Sequence, residues 1–451
     1  MSKKKTNNST AQTPTPVQET FIPKPIGEVT TSNYLDIANY VNSSRHMCDV
    51  LDGCKPSYRR LIWAGFQFPK GKLIPTTKLI AEVSNYHPHS TTGIEGTNAV
   101  FVNSGIFTGE GSFGFTSITG EYNPPAATRY TKNRVSDLYH EIMGDALKYV
   151  EMVESPVEAL EPKYLPTALP LCLFLSCATS GLGFSVSTLY PNFSPVSLYQ
   201  AYIHNDPSLL EPRVDLELDK KKSDLIGLWR YGKGKVVYSY HTRRIVDPAS
   251  KREGVLIYGD TSIFTPKLTK IRKLMDDGKV YMEDMTDETG PKLFIGRVPG
   301  ARGVTIDDIW KITETIKSGT LACVLNVTDG RMTYRIPLYD WLGYTIKNYH
   351  SLVSFANQDK IKRTEFEIKV QEAIPVVADY ILNHNPKATD KEISSALSLP
   401  ADVIGEVLKK PISGLRKSKD NGEKIKALKT KLKALKSFDP VAFTEEVIKK
   451  L

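Results

Sequence analysis

The sequence predicts an α+β protein of several domains, and three observations predict it. Short helical patterns, each closed by proline or glycine, run from about residue 29 to 168. β-rich segments separated by Pro and Gly then extend to about 337. From 338 to 451 the apolar spacing turns helical again. A chain of 451 residues can bury two or three ordinary cores.

Residues 1–28 are rich in Lys, Thr, Asn, Pro and Gln, and predict a disordered tail. Thr31, Ser32 and Asn33 read as a capping stretch ahead of Tyr34, Ile37, Ala38 and Val41, which recur at helical spacing up to about Asn42–Ser44. Asp52-Gly53 marks a turn, and Pro56 suits the first turn of a second helix carrying Arg59 and Arg60 on a basic edge. A third helix reads from Thr76 to Tyr86, and Pro88 stops it, presenting His87 and His89. Short successive helices of this kind suit a helix-turn-helix or winged-helix module. Gly105 to Gly120 reads as a wing or loop, and Val135, Leu138, Ile142, Ala146 and Leu147 as one further helix.

In the middle region the segments 235–240, 254–258, 279–282 and 292–298 read as strands. Asp215, Glu217 and Asp219 alternate there and read as an exposed strand face rather than a metal site. Toward the C-terminus, Phe366, Val370, Ile374, Val377 and Ile381 define one long helix, with Pro375 expected at a kink or break. Ile425, Leu428, Leu432 and Leu435 define another, ringed by lysines. The pair suits an antiparallel coiled coil whose lysines form a solvated face.

Composition narrows the function classes. The charge is +9, from 59 Lys+Arg against 50 Asp+Glu, which fits a nucleic-acid partner without requiring one. Five scattered cysteines show no zinc spacing and argue for free thiols in a reducing compartment. No apolar run approaches the ~20 residues of a membrane span, and the N-terminus lacks the apolar stretch of a secretory signal. An intracellular location, cytoplasm or nucleoid, is expected.

The chemistry concentrates between Gly109 and Arg134. Tyr130 lies there between Arg129 and Thr131. A phenol with an unperturbed pKa near ~10 is a poor nucleophile unless a neighbouring cation favours the phenolate. Upstream stand His87, His89 and the cations Lys55, Arg59 and Arg60. A nucleophile, imidazoles and cations are the groups that transesterification at a phosphodiester needs.

In this order the motifs resemble a known family. Asp52-Gly53-x-Lys55-Pro56-x-x-Arg59-Arg60, Tyr86-His87-Pro88-His89, Gly109-Glu110-Gly111-x-Phe113-Gly114 and Ala127-x-Arg129-Tyr130-Thr131 are similar to the DNA-cleaving half of type IIA topoisomerases. That half includes gyrase A and, closest in size, the medium subunit of tailed-phage topoisomerases. Ser180 to Ser185 resembles the segment that wedges an aliphatic side chain, here Leu182, into DNA, and Tyr231 to Val236 resembles a tower strand bearing Lys233 and Lys235.

The resemblance implies a winged-helix cleavage domain (29–168), a tower domain (169–337) and a coiled coil ending in a dimer gate (338–451). It implies catalytic roles for Tyr130, Arg129, Arg45 and His89. It implies DNA contacts from Lys55, Arg59, Arg60, His87, Leu182, Lys233 and Lys235. The expected partners are double-stranded DNA, a second copy of the chain, and a separate ATPase subunit that holds Mg2+ and hydrolyses ATP, in a heterotetramer. No metal ligand is expected on this chain. The expected reaction is relaxation, decatenation and unknotting without gyrase-type supercoiling, since no wrapping domain follows the coiled coil. A non-catalytic helix-turn-helix protein and a tyrosine recombinase acting alone are the rival readings.

Overall fold

Helix α1 (Ile26–Val41) buries little of itself, with Ala38 its one buried residue. It passes into a π-helical turn, Asn42–His46, closed by a hydrogen bond from Met47 N–H to Asn42 C=O. The computed structural model describes residues 24–247, 251–386, 388–409 and 421–451. Residues 1–23 of the expected tail therefore lie outside the described residues. Its last residues are helical, because α1 starts ahead of the Thr31 cap, directly after Pro25.

Three helices follow around one apolar centre: α2 (Pro56–Phe66), α3 (Thr76–Val83) and α4 (Thr91–Asn103). Pro56 takes the first-turn position of α2, where a missing N–H costs nothing. Leu61, Ile62, Leu79, Val83, Ile94 and Phe101 meet in the core. A small antiparallel sheet closes the module, with Lys132–Val135 between Ile74–Pro75 and Phe107–Glu110. Val135 is therefore a strand residue, and the single helix expected from Val135 to Leu147 is divided. Ser136 caps α5 (Asp137–Met143) through Tyr139 N–H, and a separate 3-10 turn covers Ala146–Tyr149.

Two larger antiparallel sheets form the middle of the chain. One has five strands in the order 217–218, 233–239, 318–324, 187–190, 179–182, and the other four in the order 241–246, 253–258, 292–297, 280–284. The four strands expected from sequence are all present, within two residues at each end. Around the sheets lie α6 (Pro195–His204), α7 (Leu225–Tyr231), α8 (Thr269–Asp276) and α9 (Ile306–Ile316), the last begun by a Thr305/Asp308 capping box.

Helix α10 (Leu338–Asn383) is 46 residues long and runs through Pro375 without a break. Its first half belongs to the main core. The Trp341 indole donates to Val50 C=O at 2.9 Å and the Tyr349 hydroxyl to Ile142 C=O at 3.0 Å. Its second half packs on α11 (Asp390–Leu397) and α12 (Ala401–Leu408) in a separate apolar cluster around Ile374, Val377, Ile393 and Ile404. Two further helices, α13 (Asn421–Lys436) and α14 (Pro440–Lys450), return along it. Lys429 pairs with Glu372 and Lys436 with Glu365, so α13 runs antiparallel to α10 and these lysines meet carboxylates rather than water alone. Among the described residues no helix is long and apolar enough to cross a membrane.

Candidate active site

Tyr130 ends a single 3-10 turn, Thr128–Tyr130, at the mouth of the small sheet. The residue is 69% exposed. The guanidinium of Arg129 lies over the Tyr130 ring, 4.7 Å from its centroid. The turn is held from behind by buried Thr131. Its hydroxyl donates to the Thr76 hydroxyl at 2.7 Å and its carbonyl accepts from Thr76 N–H at 3.0 Å. The phenol thus sits over the N-terminal end of α3, open to solvent. Lys78, which no sequence motif singled out, is exposed on the same helix.

Arg60, His87 and His89 gather at the other end of α3. Arg60 is buried and makes a two-point ion pair with Glu161, at 2.7 and 2.8 Å. Its third guanidinium nitrogen lies 3.0 Å from His89 Nε2. A guanidinium can only donate. His89 therefore accepts at Nε2 and keeps its proton on Nδ1, so the ring is neutral. Burial, then His87, Arg60 and Arg45, hold its pKa down to about 4. The His87 ring is tilted against His89 with centroids 4.4 Å apart, and burial followed by Arg60 and Arg45 lowers it too. Its Nδ1 is buried without a hydrogen-bond partner. His89 in this state can offer Nδ1–H to an anion but has no free basic nitrogen.

Arg45 projects from the π-helical turn, exposed and near enough to lower both imidazoles. His46, beside it, is lowered by burial, Lys55 and Arg45. Lys55 reaches over Tyr58 and donates from Nζ to Ser180 C=O. Leu182 closes the strand Thr179–Leu182 and is 78% exposed. Lys233 and Lys235 are exposed at the start of their strand.

One expectation needs correction. Arg59 and Arg60 do not form a basic edge open to phosphates, because buried carboxylates occupy both guanidinium groups. Arg59 bonds Asp52 at 2.9 and 3.2 Å and meets Asp49 at 3.2 Å. Arg60 is taken by Glu161 and His89, as above. Glu161 was missed because it lies 101 residues from Arg60 in an unremarkable segment, with no local signal. The alternating acids lie at an exposed strand, as expected, and make surface ion pairs. Asp215 and Glu217 flank His241 at 3.1 and 3.2 Å, and Asp219 pairs with Lys222.

The structure divides the candidates into two half-sites. Tyr130 and Arg129 stand at the start of α3, and Arg45, His87 and His89 gather beyond its end, with Lys55 near His46. The eight residues between span about 12 Å at 1.5 Å per residue. The pocket beside the Tyr130 turn is lined by Thr76, Asn98, Thr128 and Thr131 with a single carboxylate, Glu95. Among the described residues no group of three or more His, Cys, Asp or Glu side chains could hold a metal ion. The residues present do not fit a divalent ion.

The sequence that builds this site has counterparts among known proteins. Residues 45–225 match the family of the DNA gyrase/topoisomerase IV A subunit. The chloroplastic/mitochondrial gyrase A protein of Arabidopsis thaliana is 24% identical over 343 residues, covering 69% of this chain and 35% of the relative. The gyrase A protein of Salmonella typhimurium is 26% identical over 322 residues (65% and 36%). That of Haloquadratum walsbyi is 30% identical over 183 residues (38% and 21%). Over residues 45–225 the chain is similar to the A subunits of DNA gyrase and topoisomerase IV. It spans about a third of the length of the first curated relatives it matches.

Proposed function

We propose that the chain is the DNA breakage-rejoining subunit of an ATP-dependent type II DNA topoisomerase. The exposed Tyr130 under the Arg129 guanidinium carries this reading. The Tyr130 oxygen attacks a backbone phosphorus, the P–O bond to the neighbouring sugar breaks, and a 3′ hydroxyl leaves. The 5′ phosphate stays on Tyr130 as a phosphodiester, so resealing is the same step reversed. Arg129 and Arg45 neutralise the charge that develops on the phosphoryl oxygens, and His89 offers its Nδ1–H to one of them. Lys55, Lys233 and Lys235 lie along the duplex, and Leu182 enters a base step and bends it.

In this reading 29–168 is the winged-helix cleavage domain, 169–337 the tower, and 338–451 a coiled coil with a dimer gate. Each cleavage centre is composite: Tyr130 and Arg129 of one copy meet Arg45, Lys55 and His89 of the second. The separation of the two half-sites along α3 supports this. Mg2+ and ATP belong to a separate subunit, in a heterotetramer that works inside the cell. The products are relaxed, decatenated and unknotted DNA.

The test is purification with that ATPase subunit, followed by denaturant trapping on plasmid. Paired breaks with 5′ ends linked to Tyr130, absent in Tyr130→Phe, are expected. A Tyr130→Phe chain with undiminished cleavage refutes the assignment, and 3′-linked ends without a partner favour a recombinase. Negative supercoiling of relaxed plasmid would contradict the reaction assigned.

A further inference from the structure

The hairpin that presents Leu182 is gripped by a residue with no part in the chemistry. Asn42, 3% exposed, opens the π-helical turn that also carries Arg45. Its carboxamide oxygen accepts from Phe184 N–H at 2.8 Å, and its Nδ2–H donates to Phe184 C=O at 3.2 Å. The side chain thus behaves as a neighbouring strand toward the hairpin tip. Gly181 and Gly183 make the approach possible, since a Cβ there would lie 2.2 Å from His46 O and 2.1 Å from Asn42 Oδ1. Both glycines face the turn, so strand alternation directs Leu182 to the opposite, open side. Two further ties hold the hairpin. The Tyr34 hydroxyl meets Ser185 Oγ at 3.0 Å with its ring edge-on to Phe184, and Lys55 holds Ser180 C=O.

We propose that Asn42 is a positioning residue that locks the Leu182 wedge to Arg45, so that bending the duplex and holding its phosphate occur at one fixed spacing. Resting on the cleavage reading above, this adds a residue to it. The force that a bent duplex exerts on Leu182 passes through Phe184 and Asn42 into the turn bearing Arg45. Without the clamp the hairpin yields instead, and the phosphate is held less well.

The experiment compares wild type, Asn42→Ala, Leu182→Ala and the double variant, each with the ATPase subunit. Bending is read by fluorescence transfer across a short duplex, and cleavage as covalent DNA on Tyr130. Asn42→Ala is expected to lower the bent fraction and cleavage about tenfold, corresponding to loss of the two-point hydrogen bond, with DNA affinity within about twofold of wild type. The double variant should be no worse than Leu182→Ala, since both act on one element. Wild-type behaviour of Asn42→Ala, or additive losses, overturns the proposal. Tyr34→Ala removes a half-exposed ring that the fold does not need, and should lower the same two readouts about threefold. No change there also overturns it. A wild-type chain that forms no Tyr130 adduct sinks the cleavage reading itself, whereas normal adducts in both wild type and Asn42→Ala sink only the clamp.

Discussion

The imidazole cluster and the tyrosine turn are built on opposite principles. Around His89 the guanidinium groups are spent on buried carboxylates, both histidines lose basicity, and the ring's tautomer is set by one contact with Arg60. At Tyr130 the side chain is open to solvent, and the turn is tied down only from behind, through Thr131 and Thr76. In the function proposed above, the first receives an anion and the second is a nucleophile left free to meet DNA held by a second copy. Preorganisation would then lie where charge is received, and exposure where a bond forms with an arriving backbone.

The contrast breaks most visibly at Arg60. Arg60→Ala strands Glu161 in the core and should cost about 3–5 kcal/mol in urea denaturation. Lysine should rescue it poorly, since it cannot span both carboxylate oxygens and His89. Arg129→Ala, at the exposed turn, should change stability by less than about 0.5 kcal/mol while cutting cleavage about a hundredfold. Equal stability losses for the two variants would erase the distinction drawn between the half-sites. Of intermediate size, Thr131→Val leaves the Thr76 hydroxyl without its buried partner and should cost about 1–2 kcal/mol.

The contrast also appears as a pH dependence. His89 takes up its proton near pH ~6.5 in the unfolded chain but only at about 4 in the folded one. Between those values the unfolded state binds more protons, so stability falls as pH drops through the window and rises again toward neutrality. His46 and His87 are lowered as well and act in the same direction. His89→Gln should flatten part of the slope in denaturation midpoints between about pH 6.5 and 4.5. An unchanged slope would mean that His89 titrates normally.

Much of this was legible in the sequence because it rests on local patterns. The strands 233–239, 253–258, 280–284 and 292–297 of the two middle sheets, α2 and the second half of α10 follow from apolar spacing and proline placement. α4 was not foreseen: Gly93, Gly96 and its threonines mask a helix that tertiary packing through Ile94 and Phe101 sustains. Pro375 was expected to interrupt α10, yet the apolar face shared with α11 and α12 carries the helix through it. The site residues were readable as types, since cations, imidazoles and a tyrosine announce themselves. Their pairing was not. Arg60 meets Glu161 and Asn42 meets Phe184 across more than a hundred residues, and nothing in a local window distinguishes a saturated arginine from a free one.

The composite cleavage centre is the central claim, and mixing two defective chains tests it most directly. Tyr130→Phe and Arg45→Ala copies are combined with the ATPase subunit, then scored for covalent cleavage. If Tyr130 of one copy works with Arg45 of the other, each mixed dimer holds one intact centre, and the mixture should nick single strands where neither variant alone does. A mixture as inactive as its separate components would contradict the account, placing Tyr130 and Arg45 in one centre within the same chain.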